Sequence, residues 1–398
     1  MNILVHDYGG YPFPAQLSRR LARGGHRVTH AFCQNLVTTP GGQFSRRDDD
    51  PADLAFASLD IGEQISKYSF VKRFRQERRY GRLAADQVRD LKPDVVLSAN
   101  MPLDAQSRIM AASHSLGIPV VFWLQDVLGI AADRVLRNKI PVLGRMVGRY
   151  YIHTEAKLLR RSDAIVSITD GFAPLLRDWR VPMDRVTMIP NWAPLDQMVQ
   201  TPKSNPWSVR HAYDNKLVLL YAGTMGMKHN PQLVEAVAMR FRDRDDVAVV
   251  VVSQGQGADY LNRSKMANGL TNLSIHDFQP LEVVPQMLGS ADVLMAVLED
   301  DAGSFSVPSK VLGCLCAARP LLAAMPPSNQ ASEIIRHHDA GLTVASSDIQ
   351  GFVQAAEQLL HDHTLRRRQG ENARRYAEEH FDIDRIAERF EAVLTSVV

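Results

Sequence analysis

The chain has 398 residues, 45% of them hydrophobic and 23% charged, a composition typical of soluble globular proteins. This length exceeds what a single hydrophobic core usually supports, so we expect two domains. The three cysteines, Cys33, Cys314 and Cys316, are too few for a disulfide framework and wrongly spaced for a redox pair or zinc knuckle, which excludes a disulfide scaffold and indicates inert, reduced thiols.

Charge is distributed unevenly along the chain. Residues 1–200 carry 27 Lys and Arg against 20 Asp and Glu, whereas residues 201–398 carry 19 against 24. A basic first half favours an acidic partner or an anionic surface. The opening MNILVHDYGG is typical of a strand and not of a signal peptide, and no apolar run reaches the roughly 20 residues of a membrane span. We therefore expect a cytoplasmic protein, soluble or peripheral.

The first half alternates apolar strands with helices. A strand at Asn2–His6, a helix at Ala15–Gly24 and the strand HRVTHAFC predict a β-α-β unit. Residues 36–56 are polar and glycine-rich, which predicts an exposed loop. The later runs PDVVLSAN, IPVVFWLQD and SDAIVSIT are continuously apolar, as parallel strands buried on both faces are. The first turn lacks the G-x-G-x-x-G fingerprint, which disfavours a nicotinamide enzyme.

Several residues follow strand ends in this half. Ligands of open parallel sheets collect at the carboxyl ends of strands, so Asn100 and the pair Gln125 and Asp126 lie where chemistry is expected. Asp126 is our candidate acid, base or acceptor-orienting residue; alternatively, it caps the next helix. Gly9 and Gly10 would let an acceptor approach the first turn, unless they serve only the turn itself.

Two segments are strongly basic. Residues 67–92 contain nine Lys and Arg against three acids, with Phe70, Phe74 and Tyr80 among them. Residues 134–161 contain eight basic residues against the single acid Glu155, together with an apolar side. Basic helices that carry apolar or aromatic residues bind anionic lipid headgroups, so both segments are candidate membrane contacts. A solvated helix face with its aromatic side chains in the core is the alternative for the first.

Residues 194–207 have the turn-forming composition of a linker, and the strand-helix alternation restarts after them. The strand KLVLLYAG leads into a turn with Gly223, Gly226 and Lys228, in which glycines let backbone approach a ligand. The stretch SFSVPSKVLGCLCAARP opens from a polar turn into an apolar helix, with Lys310 at its beginning. Helix beginnings attract anions, so the two turns together predict a ligand that carries a diphosphate.

The order of these motifs resembles the retaining glycosyltransferases of family 4, and most closely their colanic-acid and O-antigen branch in bacteria. The resemblance rests on HDYGGYPFPAQLSRRLARGGHRV, FWLQD, VTMIPNW, YAGTMGMKHNP and SVPSKVLGCLCAARPLLAA. It implies the GT-B fold, which is α/β with two Rossmann-like doubly wound parallel-sheet domains facing across a cleft. The expected parts are an acceptor-binding domain at 1–200, a donor-binding domain at 201–380 and a helix at 381–398 that crosses back to the first domain.

The resemblance also assigns residues to the donor, a nucleotide-diphospho-sugar. It implies a diphosphate-binding turn, which matches Gly223, Thr224, Gly226 and Lys228, and a glycine turn beside the nucleotide, which matches Gly255 and Gly257. It further implies a strand end that reads the base, which matches Phe278 and Gln279. A loop beside the phosphates matches Ser306, Val307, Ser309 and Lys310.

One departure from the family concerns two glutamates, the second of which holds the donor ribose. Phe305 and Gly313 occupy those two positions here. Glu333 is a speculative replacement carboxylate. Because of this departure, an inactive scaffold subunit is an alternative to an active enzyme.

The chemistry of the turns agrees with this assignment. Breaking a sugar–diphosphate bond develops negative charge on the leaving group, which amides, Lys228 and Lys310 would stabilise. The sequence has no cluster of His, Asp or Glu with the spacing of metal ligands, so we expect neither a metal nor another cofactor. We predict a retaining transferase that moves a hexose or N-acetylhexosamine, with UDP the favoured carrier, to a lipid-linked or glycan acceptor at the inner face of the plasma membrane. A sugar-nucleotide epimerase of the same fold remains an alternative, and nucleic-acid binding is disfavoured.

Overall fold

A computed structural model describes residues 1–36, 44–66, 69–99, 101–139, 141–226, 229–299 and 309–398, without the side chains of residues 70, 138, 139 and 141. Contacts divide the chain into two compact units. The first unit comprises Met1–Asn191 together with Ile383–Val398, and the second comprises Trp192–Asp382.

Within the described residues, the first unit contains a seven-stranded parallel sheet in the order β3-β2-β1-β4-β5-β6-β7. Its central strands are short runs of Val, Leu, Ile and Phe that are buried along their whole length, as expected for strands covered by helices on both faces. The strands are β1 (Asn2–Asp7), β2 (Arg27–Cys33), β3 (Leu54–Leu59), β4 (Val95–Ala99), β5 (Val120–Leu124), β6 (Ala164–Ser167) and β7 (Val186–Met188).

Helices connect these parallel strands. They are α1 (Pro12–Arg23), α2 (Phe70–Leu91), α3 (Leu103–Ser115), α4 (Leu128–Lys139), α5 (Pro141–Arg161) and α6 (Ala173–Asp178), with 3-10 turns at Asp170–Phe172 and Met183–Arg185. Helix α1 begins at Pro12, because proline favours the first turn of a helix, where its missing N–H is not needed.

The described part of the second unit has a six-stranded parallel sheet in the order β10-β9-β8-β11-β12-β13. Its strands are β8 (Leu217–Ala222), β9 (Val247–Val252), β10 (Leu273–His276), β11 (Val293–Val297), β12 (Leu321–Ala324) and β13 (Gly341–Val344). Its helices are α7 (Pro206–Arg210), α8 (Pro231–Arg240), α9 (Gln256–Asn268), α10 (Val284–Gly289), α11 (Ser309–Cys316), α12 (Gln330–His337), α13 (Ile349–His361) and α14 (His363–His380), with a 3-10 turn at Leu281–Val283.

The last helix, α15 (Ile383–Thr395), belongs to the first unit. Phe390 packs edge-on against the ring of Trp123 with 4.7 Å between ring centroids. Glu391 bonds His26 at 2.9 Å, and Asp384 pairs with Arg20 on α1. An apolar anchor with polar contacts on either side therefore holds α15 on this unit.

The predicted fold class, two Rossmann-like doubly wound parallel sheets, is confirmed. One local expectation is wrong. The segment 36–56, predicted to be an exposed loop, contains the beginning of β3, an edge strand in which only Leu54 is fully buried. The basic segment 134–161 is divided between α4 and α5.

The two aromatic residues of α2 whose side chains are described, Phe74 and Tyr80, do not point fully outward. Tyr80 is fully buried and stacks edge-on with His6 and Tyr8, while the half-buried Phe74 lies 5.3 Å below the guanidinium of Arg78. For Tyr80 the core interpretation is therefore correct. In the described part of the chain, no helix combines the length and apolar character needed to cross a membrane.

Candidate active site

The carboxyl ends of β8 and β11 form the switch point of the second sheet. β9 and β10 follow on one side of this neighbouring pair of strands, and β12 and β13 follow on the other side. An open α/β sheet binds its ligand in the crevice outside such a point. The turn with Gly223, Thr224 and Gly226 follows β8, and α11 begins on the β11 side with Ser309 and Lys310.

Lys310 lies against the end of β8. Its Nζ donates a hydrogen bond to the hydroxyl of Tyr221 and lies 4.4 Å from the centroid of that ring. The Tyr221 hydroxyl in turn donates to the carbonyl of Thr224 at 3.0 Å. Gly223 has φ of 123°, which favours glycine, and a methyl group there would lie 3.6 Å from Cε of Lys310. The lysine is thus fixed beside the predicted diphosphate turn.

The surroundings of Lys310 disfavour its charged form. Burial lowers the pKa of Lys310 to about 7, and burial also raises the pKa of Tyr221, so this phenol remains neutral. None of the ion pairs found among the described residues includes Lys310. A cation that is desolvated and lacks a carboxylate gains more from an incoming anion than a solvated lysine does.

Internal hydrogen bonds hold the turn after β8 in place. The Gly226 N–H donates to Nδ1 of His229 at 3.1 Å, and Asn230 caps α8 through the N–H of Gln232. Lys228, which the sequence analysis placed in this turn, lies outside the described residues. Ser306, Val307 and Asn100 also lie outside them.

The glycine turn after β9 packs closely on the turn after β8. Gly255 has φ of 104° and caps α9. A Cβ at Gly257 would lie 2.4 Å from Cγ of Met225, and the Gly257 N–H donates to the carbonyl of Met225 at 2.9 Å. The lack of a side chain at Gly257 therefore lets the turns after β8 and β9 pack together.

The remaining donor-side predictions are spread along the same edge of the sheet. Gln279 follows β10, and its Oε1 accepts from Nε1 of Trp207 at 3.2 Å; the neighbouring Phe278 is half-buried. Ser309 is exposed at the beginning of α11. Glu333 is exposed in the first turn of α12, and no interaction in the described part of the chain joins it to Lys310.

In the first unit, Asp126 follows β5 and lies beside two other polar groups. Burial raises the pKa of Tyr11 to about 12, with the negative charges of Asp126 and Asp7 as further causes. The fully buried Asp7 accepts from the N–H groups of Gly9 and Tyr11 at 3.1 and 2.9 Å, so it holds the first turn in place. Gly10, with φ of 67°, completes that turn.

Glu155, and not Asp126, accepts from the first amides of α4. Its two carboxylate oxygens accept from the N–H groups of Leu128 and Gly129 at 2.9 and 2.7 Å. Burial raises the pKa of Glu155 to about 8, while the two backbone hydrogen bonds act in the opposite direction. Asp126 is half-buried, and its negative charge acts on Tyr11 and Glu155.

Comparison with known families decides the class of this protein. Residues 9–192 match the family described as "Glycosyl transferase 4-like domain", and residues 216–362 match "Glycosyl transferases group 1". The chain belongs to the GT-B glycosyltransferases. Over 311 residues the transferase is 23% identical to the putative colanic acid biosynthesis glycosyl transferase WcaI of Escherichia coli K12, covering 75% of this chain and 73% of that protein.

Solved structures show the same fold over the whole length. Anabaena Alr3699/HepE in complex with UDP-glucose superimposes with a TM-score of 0.72 at 14% identity, covering 99% of both chains. WaaG, described as a glycosyltransferase involved in lipopolysaccharide biosynthesis, gives a TM-score of 0.70 at 17% identity and also covers 99% of both chains.

Gly313 occupies one of the two positions where the resemblance to family 4 implies a glutamate. A Cβ there would lie 2.9 Å from the terminal methyl group of Met198, so this methionine occupies the space beside the position. The other departure, Phe305, lies outside the described residues.

Two residues of the transferase site were missed by sequence reasoning. Tyr221 belongs to the apolar strand KLVLLYAG, and the sequence carries no signal that its hydroxyl meets Lys310. Glu155 did carry a signal, because it is the single acid in a segment with eight basic residues.

We expect Glu155→Ala to lower the free energy of unfolding by about 1–3 kcal/mol, since two buried amides lose their acceptor. Urea denaturation measures this, with the exposed Glu371→Ala as a control that should change little. The pKa of Glu155 in the folded protein lies above its ordinary value of 4.5. The stability that Glu155 contributes is therefore full below about pH 4.5 and is lost as the pH rises through about 8. The difference in free energy of unfolding between wild type and Glu155→Ala should shrink over the same pH range. Equal urea midpoints for Glu155→Ala and wild type would contradict the role of this cap.

Proposed function

We propose that the chain transfers a hexose or N-acetylhexosamine from a UDP-linked donor to a lipid-linked or polysaccharide-precursor acceptor, with retention of configuration. The observation that carries this proposal is the position of Lys310, a desolvated cation held on Tyr221 at the switch point of the second sheet. The UDP-glucose complex of Alr3699/HepE supports the uridine carrier.

In this proposal the second unit stabilises the leaving diphosphate. Lys310 and the backbone amides after β8 interact more strongly with the diphosphate as negative charge develops on it, which lowers the barrier. Lys228 would supply a second cation in the same turn. These cations take the part that a bound metal plays in other transferases, so we propose that the reaction requires no metal.

The acceptor is proposed to bind in the first unit. Asp126 would orient the acceptor hydroxyl or remove its proton, with the turn at Gly9 and Gly10 beside it. In a retaining reaction, attack comes from the face that the diphosphate leaves. The likeness to WcaI, a putative colanic acid biosynthesis enzyme, and to WaaG, which is involved in lipopolysaccharide biosynthesis, supports an acceptor that belongs to a cell-surface polysaccharide.

We place the enzyme in the cytoplasm, as a peripheral protein at the inner face of the plasma membrane. The basic segments 67–92 and 134–161 support contact with an anionic surface. A lipid-linked acceptor would have its reactive sugar at such a surface.

Thermal unfolding in the presence of a panel of nucleotides and nucleotide sugars tests the donor. UDP and UDP-sugars at about 100 times their dissociation constants should stabilise the protein by about 2.7 kcal/mol, and CDP, GDP or ADP should do so far less. A shift with GDP or ADP in place of UDP would refute the uridine carrier. The absence of any nucleotide effect would refute the donor site.

A second candidate, a catalytically inactive scaffold, is favoured by Gly313, which lacks a carboxylate side chain. Donor turnover separates the two functions, because a scaffold would release no UDP from any UDP-sugar with or without acceptor. An epimerase would convert the donor sugar in the absence of acceptor.

A further inference from the structure

Helix α5 packs with its smallest residues inward. A Cβ at Gly144 would lie 2.1 Å from the carbonyl oxygen of Leu136, and one at Gly148 would lie 2.1 Å from Oδ1 of Asp133. The backbones of α4 and α5 therefore approach so closely that only glycine fits at these two positions. In its first half, α5 therefore packs on α4 through these glycines, whereas the apolar side chains that a surface helix usually buries, such as Leu158 and Leu159, lie in its second half.

The large apolar residues of this half of α5 lie on its outer side. They form an apolar stripe with exposed fractions of 80% for Val142, 56% for Leu143, 66% for Met146 and 54% for Tyr150. Single exposed apolar residues are ordinary, whereas a contiguous exposed patch marks an interaction site. The spacing of these residues places them together on the side opposite the glycines.

A basic cleft continues from the stripe along α5. It has a volume of about 580 Å³ and lies between α5 and the turn after α6. Arg149, His153 and Arg160 line it from α5, and Arg180 lines it from the turn, against the single acid Asp178. Arg160 joins the two walls by donating from Nη1 to the carbonyl of Trp179 at 2.8 Å. A preformed pocket with four basic groups and one acid fits an anion.

The stripe and the cleft lie side by side on one helix. Arg149 and His153 belong to the cleft and follow Met146 by three and seven residues, so they lie one and two turns further along nearly the same side. An apolar surface bordered by cationic groups complements the acyl boundary and headgroups of an anionic bilayer. We propose that α5 docks on an anionic membrane, with its apolar stripe at the acyl boundary and a phospholipid headgroup phosphate in the basic cleft.

The position of Glu155 relates this surface to the acceptor side. Glu155 touches the amides that follow Asp126, so it is level with the carboxyl edge of the sheet. The part of α5 before Glu155, including the stripe, continues beyond that edge. Docking through α5 would bring Asp126 toward the membrane, and in this respect the inference rests on the proposed lipid-linked acceptor.

The other basic helix, α2, is less suited to this role. Lys72 and Arg73 are paired with Glu63 and Glu77 at 2.9 and 2.7 Å, and Tyr80 is in the core. Among the described side chains of α2, Val71 is the one large apolar residue that is strongly exposed, at 65%, so exposed arginines such as Arg75 would add mainly a general attraction. We therefore assign the anchoring surface to α5 alone.

Flotation of the full-length protein with vesicles tests the assignment. Vesicles of phosphatidylcholine with phosphatidylglycerol should bind the wild type, and vesicles of phosphatidylcholine alone should bind it at least about tenfold more weakly. Met146→Glu should weaken binding about tenfold or more. Arg149→Glu should weaken binding only to the anionic vesicles, by about fivefold to thirtyfold.

Two variants serve as controls. Met266 on α9 is 83% exposed, so Met266→Glu introduces the same charge at an exposed methionine elsewhere and should bind as the wild type does. Arg75→Glu removes a basic residue from α2 and should have a smaller effect than Arg149→Glu. Unfolding midpoints and stabilisation by UDP, measured without vesicles, should be the same in all variants, which separates loss of docking from failure of the donor site.

Three outcomes would overturn the inference. If Met146→Glu floats as well as the wild type, the apolar stripe does not contribute to docking. If Arg149→Glu and Arg75→Glu lose the same amount of binding to anionic vesicles, the attraction is diffuse and the cleft is not a specific headgroup site. Self-association that Met146→Glu abolishes, without vesicle binding by the wild type, would assign the stripe to a protein interface.

Discussion

Replacing Lys310 with methionine should lower transferase turnover by about two to three orders of magnitude and at the same time raise stability by about 0.5–2 kcal/mol. Turnover falls because the developing charge on the diphosphate loses a fixed cation. Stability rises because the folded protein no longer holds an ammonium group whose pKa burial has lowered to about 7. Initial rates of UDP release and urea denaturation measure the two effects.

Lys203→Met is the matched control in the same unit. Lys203 pairs with Asp292 and donates to the carbonyl of Lys216 at 2.6 Å, so its loss should lower stability and leave turnover nearly unchanged. A Lys310→Met enzyme with wild-type turnover would refute the role of Lys310. Reduced stability in that variant would show that the lysine is structural.

The same lysine should make donor affinity depend on pH. A bound diphosphate favours protonated Lys310, so its pKa is higher in the complex than the value of about 7 in the free protein. Above about pH 7 binding must therefore take up a proton, and affinity for UDP-glucose should fall by up to about tenfold per pH unit. Calorimetric titration should show this fall in the wild type and its absence in Lys310→Met. A pH-independent affinity in the wild type would contradict the lowered pKa.

Asp126→Asn should lower turnover by about two to four orders of magnitude, since general base assistance contributes about that much, and should leave UDP affinity unchanged. The amide keeps the size of the side chain and removes its charge and basicity. Steady-state kinetics with varied acceptor and calorimetry with UDP separate the two effects.

Asp170→Asn is the comparison for this experiment. Asp170 is exposed and follows the neighbouring strand β6, so it occupies a similar place on the sheet, whereas the charge of Asp126 acts on Tyr11 and Glu155. Its replacement should have little effect on turnover. Equal losses for Asp126→Asn and Asp170→Asn would indicate a general electrostatic effect of the sheet edge and reject the specific role of Asp126.

The sequence by itself determined the fold class. Runs such as VVFWL and VAVVVV are apolar along their whole length, which is the local signature of parallel strands covered on both faces. The turns that follow these strands were visible for the same reason, because Gly, Asn and Asp interrupt the apolar pattern. Gly223, Lys310 and Asp126 could therefore be placed at strand or helix ends from local pattern alone.

Contacts between distant segments were decided only by the tertiary structure. The lowered pKa of Lys310 depends on its burial in the folded unit, its hydrogen-bond partner Tyr221 is 89 residues away in the chain, and the crowding at Gly257 depends on Met225. Glu155 caps α4 because α5 packs back on α4. The same close packing places the apolar stripe of α5 on the outer side of the helix. Burial and hydrogen bonding are properties of pairs of segments, and local periodicity reports only which residues one segment can bury.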